Sequence, residues 1–118
     1  MKKLMLGAAV LVSATAAWAS DPMAARFGNT VTITDSKGAV MKLMYKQGGA
    51  MDVKLPDGTA GTGTWVVKDG KLCVTSNVGP TANKEQCNAL TEHKVGDTWD
   101  VTLADGSKAK AALVAGTN

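Results

Sequence analysis

Apolar and polar residues alternate at every second position through most of the chain from Thr30 onward. This period places the apolar side chains on one face of a β-strand and the polar ones on the other. Turn residues interrupt the alternation at short intervals. The pattern predicts eight strands, of which the sixth has the weakest alternation: Thr30–Asp35, Val40–Lys46, 51–55, 64–68, Leu72–Ser76, Glu85–Glu92, 99–103 and 108–113.

The connections between these segments are short and rich in glycine. Asp57-Gly58, Asp69-Gly70 and Asp105-Gly106 are typical hairpin dipeptides. We therefore expect sequential strands to pair and the fold to be all-β, as a small eight-stranded antiparallel up-and-down (lipocalin-like) barrel. A two-sheet sandwich is the alternative, but no connection is long enough for a crossover. Gly58, Gly61 and Gly63 are expected between strands.

The first nineteen residues have the features of a secretory signal peptide. Lys2 and Lys3 precede an uncharged apolar stretch, and Ala17-Trp18-Ala19 fits the small-x-small cleavage rule. The stretch is shorter than the roughly 20 apolar residues of a membrane-spanning helix. We predict a signal peptide at 1–19, an N-terminal arm at 20–29 and the barrel domain at 30–118. The protein is then periplasmic or secreted, without stable membrane insertion.

The net charge argues against a polyanionic partner. The chain has a formal net charge of +3 at pH 7, and removal of Lys2 and Lys3 with the signal lowers it to +1. The remaining lysines are scattered and form no stripe. Electrostatic attraction to nucleic acid or to an anionic membrane therefore has little basis, and we expect no nucleic-acid partner.

Cys73 and Cys87 are the two cysteines, and in an oxidising compartment they are expected to form a disulfide. They lie equally far from Pro80, so pairing of the two strands around that turn places them opposite each other. Their side chains then share the face opposite Leu72 and Val74, on the outside of the barrel. Redox-active cysteines are usually close in sequence at a helix start, so this disulfide is expected to be structural.

Residues for catalysis or metal binding are sparse. His93 is the single histidine, no nucleophile stands in a recognisable setting, and zinc needs three or four ligands. We expect a non-enzymatic protein without catalytic residues, metal or cofactor, and an exposed His93. Copper(I) binding by Met41, Met44 and Met51 is a minor hypothesis, because methionine at the inward positions 41 and 51 is ordinary core filler.

Two sets of residues are candidates for binding. Tyr45, Trp65 and Trp99 are predicted to point inward and either complete a filled core or form a ligand mouth. The loop Asn77–Lys84 is pinned by the predicted disulfide, and loops on a rigid scaffold often carry binding. Its candidate partner residues are Asn77, Val78, Gly79, Pro80, Thr81 and Asn83.

The expected function is an exported binding module that contacts an unknown protein or envelope component. The loop Asn77–Lys84 and a free arm at 20–27 would make that contact. A carrier of a small hydrophobic ligand is the alternative.

The segment from Gly63 to Cys73, the second cysteine Cys87 and the opening Gly28-Asn29-Thr30 resemble a group of short exported bacterial proteins of unknown function. The shared pattern is G-N-T, G-T-W, L-C and C, over about residues 28–87. The resemblance implies a small β-barrel with one disulfide and carries no catalytic residues.

An architectural likeness links the chain to the periplasmic metalloprotease inhibitors. They are similar eight-stranded barrels with one disulfide, and their N-terminal arm enters the protease cleft. The likeness implies, as a further alternative, protease inhibition through residues 20–27. The sequence departs from the inhibitor pattern, so this implication rests on architecture alone.

Overall fold

The structure, a computed structural model, describes residues 21–117 and contains eight β-strands preceded by a single 3-10 helical turn, Ala24–Arg26. The strands are β1 (Thr30–Thr34), β2 (Val40–Tyr45), β3 (Ala50–Lys54), β4 (Ala60–Lys68), β5 (Lys71–Ser76), β6 (Gln86–Ala89), β7 (Thr98–Thr102) and β8 (Lys108–Val114). The predicted signal peptide lies outside the described residues.

The strands form one antiparallel sheet in the order β6-β5-β4-β3-β2-β1-β8-β7. The first and last strands in the sequence pair directly, with Val31 opposite Leu113 and Ile33 opposite Ala111. This pairing bends the sheet into a nearly closed barrel. The predicted all-β barrel with one disulfide is confirmed, and the sandwich alternative is wrong.

Alternate residues of each strand point into the barrel, as the period of two predicts. Val31 lies opposite Leu43 across β1 and β2, and Tyr45 lies opposite Met51 across β2 and β3. Removal of this apolar face from water is the main favourable term in folding. The buried core residues inside the barrel include Val31, Leu43, Tyr45, Met51, Val53, Ala111 and Leu113.

Two glycines lie within β4, although the sequence placed them between strands. The strand begins at Ala60, so Trp65 is at its middle and not at its start. A Cβ on Gly63 would overlap the backbone carbonyl oxygen of Thr75 in β5, and a Cβ on Gly61 would collide with the side chain of Val78. The absence of a side chain at both positions therefore lets β5 and the loop after it close tightly against β4.

The disulfide between Cys73 and Cys87 is confirmed, as is the register that it predicted. The two residues lie directly opposite each other in β5 and β6, with their Cα atoms 4.0 Å apart. Leu72 and Val74 face the interior cavity described below, so the cysteines lie on the outer face. Closing a loop of this length contributes about 3 kcal/mol in the chain-entropy model.

Strands β6 and β7 are the one sequential pair without a backbone ladder, so the prediction that all sequential strands pair is wrong at this step. We call the opening between them the seam. The side chain of Asn88 in β6 crosses it: Oδ1 accepts a hydrogen bond from the Thr102 backbone nitrogen at 2.9 Å, and Nδ2 donates to the Thr102 carbonyl oxygen at 3.1 Å. A carboxamide carries the same donor and acceptor as a peptide group, so one side chain replaces the missing ladder.

The seam gives the first testable prediction. Replacement Asn88→Ala is expected to lower the free energy of unfolding by about 1–2 kcal/mol, because the N–H and C=O of Thr102 lose their partners. Urea denaturation measures the loss, and hydrogen exchange at the Thr102 amide localises it.

The control is Asn83→Gly in the nearby loop. Asn83 has a φ of 64°, which glycine adopts readily, so this variant should change stability by less than about 0.5 kcal/mol. Unchanged stability and unchanged Thr102 exchange in Asn88→Ala would show that the amide does not hold the seam.

Candidate functional site

The barrel interior contains a cavity of about 100 Å³. Ala111 projects into it from β8, and a methyl group at that position leaves volume that a larger side chain would fill. Of the two alternatives that the sequence left open, a filled core and a hollow one, the interior is therefore hollow in this region. The apolar wall is formed chiefly by Val31, Ile33, Met41, Leu43, Met51, Leu55, Leu72, Val74, Val101 and Leu103.

The N-terminal segment closes one end of the barrel, which we call the plugged end. Met23 and Arg26 are each only 3% exposed, and the ring of Phe27 lies 5.8 Å from that of Trp65. Residues 23–27 therefore do not form the free arm that the sequence suggested. Burial of Met23 and Phe27 against the core gives this segment a fixed place in the fold.

Hydrogen bonds tie the plugged end to the C-terminal part of the chain. Asn29 donates through Nδ2 to the Ala25 carbonyl oxygen at 2.8 Å and accepts at Oδ1 from the Gly116 nitrogen at 3.0 Å. The Thr30 hydroxyl donates to the Gly116 carbonyl oxygen at 2.6 Å. Two residues of the Gly28-Asn29-Thr30 motif thus anchor the helical turn to the end of β8.

Arg26 is a buried, positively charged residue that lines the cavity at the plugged end. Its Nη1 donates to the Pro22 carbonyl oxygen at 2.6 Å and, at 3.5 Å, to that of Thr91. The guanidinium carbon lies 5.5 Å from the centre of the Trp99 ring, a favourable cation–π arrangement. Burial lowers the pKa of Arg26, but guanidinium groups stay protonated in proteins.

Tyr45 borders the same part of the cavity. Its ring meets that of Trp65 edge-on, with centroids 6.3 Å apart. Burial raises the pKa of Tyr45 to about 12, and the positive charge of Arg26 opposes part of that rise. The hydroxyl is therefore neutral at physiological pH and able to donate a hydrogen bond.

His93 is packed onto Trp99, with ring centroids 3.6 Å apart and planes within 7°. Its side chain is only 12% exposed, so the expectation of an exposed histidine is wrong. Nε2 lies 2.8 Å from the Thr91 hydroxyl, and Nδ1 lies 3.6 Å from Oδ2 of Asp97. Burial, followed by the charge of Arg26, lowers the pKa of His93, and Asp97 partly offsets both effects.

The three residues of the predicted ligand mouth meet at the plugged end. Tyr45 and Trp99 border the cavity. Trp65 packs between Phe27 and Tyr45 and donates through Nε1 to the Lys46 carbonyl oxygen at 2.8 Å. The helical turn covers this end, so Tyr45 and Trp99 lie on the floor of the cavity, Trp65 does not line it, and the three residues do not form an open mouth.

The predicted partner loop lies at the opposite end of the barrel, the loop end. Val78, Gly79, Pro80 and Thr81 border the cavity. Asn77 is hydrogen-bonded to Thr62 of β4, accepting from its backbone nitrogen at 3.0 Å and donating to its hydroxyl at 3.2 Å. Asn83 is exposed. Most of the loop therefore caps the interior.

Potential metal ligands are poorly arranged in the described part of the chain. Cys73, Glu85 and Cys87 lie together, but the sulfurs are bonded to each other and cannot act as thiolates. Glu85 pairs with Lys68 at 3.1 Å. Of the methionines in the copper hypothesis, Met41 and Met51 border the cavity, whereas Met44 lies on the outer surface.

Sequence reasoning missed two residues of this region, Arg26 and Asn88. Arg26 stands in a segment without apolar periodicity, yet it is the single arginine beside twelve lysines. Arginine differs from lysine in its planar array of five donors. The presence of one arginine among many lysines could therefore have marked Arg26 as a candidate functional residue. Asn88 gave no comparable signal, since it is one polar residue in the weakest predicted strand.

Comparison with family models, curated proteins and solved structures found no match. The resemblance to short exported bacterial proteins therefore stays a prediction. Within residues 21–117, no helix has the length and apolar character needed to cross a membrane.

Acidification tests the packing of His93. Because its pKa in the folded protein lies below the unfolded value of about 6.5, the unfolded chain binds more protons as the pH falls. The free energy of unfolding is therefore expected to decrease between about pH 7 and pH 5. Urea denaturation across this range measures the slope.

The variant His93→Phe keeps an aromatic ring on Trp99 but cannot titrate. His93 is the only histidine, so the slope between about pH 7 and pH 5 should become nearly flat in this variant. An undiminished slope would assign the pH dependence to another group.

Proposed function

We propose that this protein is an exported, non-enzymatic carrier that holds a small apolar ligand inside its barrel. The observation that carries the proposal is the cavity of about 100 Å³. An apolar cavity of about 150 Å³ in an unrelated protein accepts benzene, so the fitting ligands have an apolar part of about one benzene ring or smaller. Ligand sites commonly combine an apolar wall with a few fixed polar groups.

The distribution of polar groups around the cavity supports this function. Arg26 and Tyr45 lie at the plugged end, whereas Ser76, Gln86 and Asn88 lie toward the loop end and the seam. The wall between them is almost entirely aliphatic. A ligand with an apolar body therefore has a complementary surface along most of its length.

The route into the cavity is proposed to pass through the loop end beside the seam. There the β6–β7 gap is bridged by one side chain, that of Asn88. The plugged end is tied by Asn29 and Thr30 to Gly116. Opening beside the seam would break the Asn88–Thr102 hydrogen bonds and leave the helical turn in place.

Export is part of the proposal. The Cys73–Cys87 disulfide is compatible with an oxidising compartment. Together with the signal-peptide features of residues 1–19, it supports a periplasmic or secreted location.

Contact with a protein or envelope component receives less support. Val78 packs toward Gly61 and the cavity, so the apolar part of the partner loop is turned inward. Protease inhibition through the N-terminal arm would require Met23 and Arg26 to leave buried positions. Interior binding needs neither change.

Benzyl alcohol, a neutral probe, tests the carrier function. Titration of the purified protein, followed by NMR shifts of the methyl groups of Leu43, Val74 and Val101, should show saturable binding. The variant Ala111→Met places a longer side chain in the cavity and is expected to weaken binding about tenfold, or about 1.4 kcal/mol.

The matched control is Ala112→Met, on the next residue and the opposite face of β8. It should bind benzyl alcohol as the parent protein does. Thermal unfolding of both variants identifies any overpacking, which costs about 1–3 kcal/mol in a well-filled core. Absence of saturable shifts in the parent, or equal binding by Ala111→Met, would contradict interior binding.

A further inference from the structure

Arg26 has no ion-pair partner among residues 21–117. Its hydrogen bonds are to two neutral carbonyl oxygens, those of Pro22 and Thr91, and both are made by Nη1. Besides burial, the titratable side chain that affects the pKa of Arg26 is Tyr45, and its hydroxyl is uncharged at physiological pH. A positive charge that is 3% exposed thus stands without a counter-charge, an arrangement that costs free energy unless an anion arrives.

The remaining nitrogens of Arg26, Nε and Nη2, make no hydrogen bond within residues 21–117. Every fully buried side-chain nitrogen or oxygen in this part of the chain has a partner. These two nitrogens are therefore not fully buried, and Arg26 is one of the residues that line the interior cavity. Nε and Nη2 also form the edge of a guanidinium that can bind a carboxylate through two parallel hydrogen bonds.

The Tyr45 hydroxyl is a second polar group without a hydrogen-bond partner within residues 21–117, and Tyr45 also lines the cavity. A neutral phenol donates one hydrogen bond. Arg26 and Tyr45 thus carry unused donors at the plugged end of a cavity whose wall is chiefly apolar.

We infer that the ligand is a small amphipathic monoanion whose carboxylate is held by Arg26 and Tyr45 while its apolar part extends toward the loop end. This inference rests on the proposed function, because it requires that the cavity be the binding site.

The shape and charge of the site favour this class over other occupants. One positive charge matches a monoanion and leaves half of a phosphate dianion uncompensated in a space with little water. A cluster of water molecules would satisfy the donors at the plugged end but would leave the aliphatic wall without a complementary surface. A carboxylate on a short apolar body meets both requirements.

The experiment compares benzoate with benzyl alcohol, which have the same ring and differ in charge. Both are titrated into the protein purified after expression of the full chain, at about pH 7, with calorimetry and NMR as readouts. Benzoate is expected to bind at least tenfold more tightly, since a charged hydrogen-bonded pair in a buried site is a strong interaction.

The variant Arg26→Met removes the charge and keeps a side chain of similar reach. It should abolish the preference for benzoate, so that the affinities of the variant for the two probes become similar. Its control is Lys46→Met, which removes one positive charge from an exposed residue that pairs with Asp52. This control should retain the preference, because screening makes exposed charges weak contributors.

Tyr45→Phe provides an independent measurement if Arg26→Met does not fold. Loss of one hydroxyl donor should weaken benzoate binding by about fivefold and weaken benzyl alcohol binding by less, so that the preference for benzoate decreases. Lack of change in benzoate affinity in either folded variant would overturn the assignment.

The remaining outcomes separate the inference from the function on which it rests. Equal affinities of the parent protein for the two probes would overturn the anion assignment and leave the carrier function standing. Binding of neither probe would overturn both.

Discussion

The pairing of β1 with β8 is the constraint on which the rest of the structure depends. Five residue pairs, from Thr30–Val114 to Thr34–Lys110, join the beginning of the sheet to its end. Without this ladder the eight strands would form an open sheet with its apolar face exposed to water. With it, the same face encloses a cavity. The Asn29 and Thr30 bonds to Gly116 continue the closure beyond the strands and place the helical turn over one end.

Closure at β1–β8 moves the discontinuity of the sheet to the seam, between strands that are neighbours in sequence. β6 has only four residues and is held on one side by the Cys73–Cys87 disulfide. On its other side Asn88 supplies one donor and one acceptor to Thr102. The disulfide therefore stabilises the short strand β6, which the incomplete ladder would leave weakly held. The barrel has fewer hydrogen bonds between strands at the seam than elsewhere.

The sequence was sufficient to predict the strands and the disulfide, because both depend on local spacing. Alternation marks inward positions such as Leu43 and Val53, and the equal distances of Cys73 and Cys87 from Pro80 set their register. The seam, the strand position of Gly61 and Gly63, and the burial of Arg26 were not predictable in this way. Each depends on contacts between segments far apart in the chain, such as Arg26 with Trp99 or Gly61 with Val78.

The cost of burying Arg26 is the strongest reason to regard the plugged end as more than a lid. Met23 and Phe27 already cover the barrel with apolar surface, so closure alone does not need a charge. A guanidinium buried beside Trp99 with two carbonyl partners carries a desolvation cost that an apolar residue of similar volume would not carry. An apolar residue, however, would leave the cavity without a group that distinguishes an anion from a hydrocarbon. Under the proposed function, recognition of a carboxylate accounts for a charged residue at this position, where closure alone requires only apolar surface.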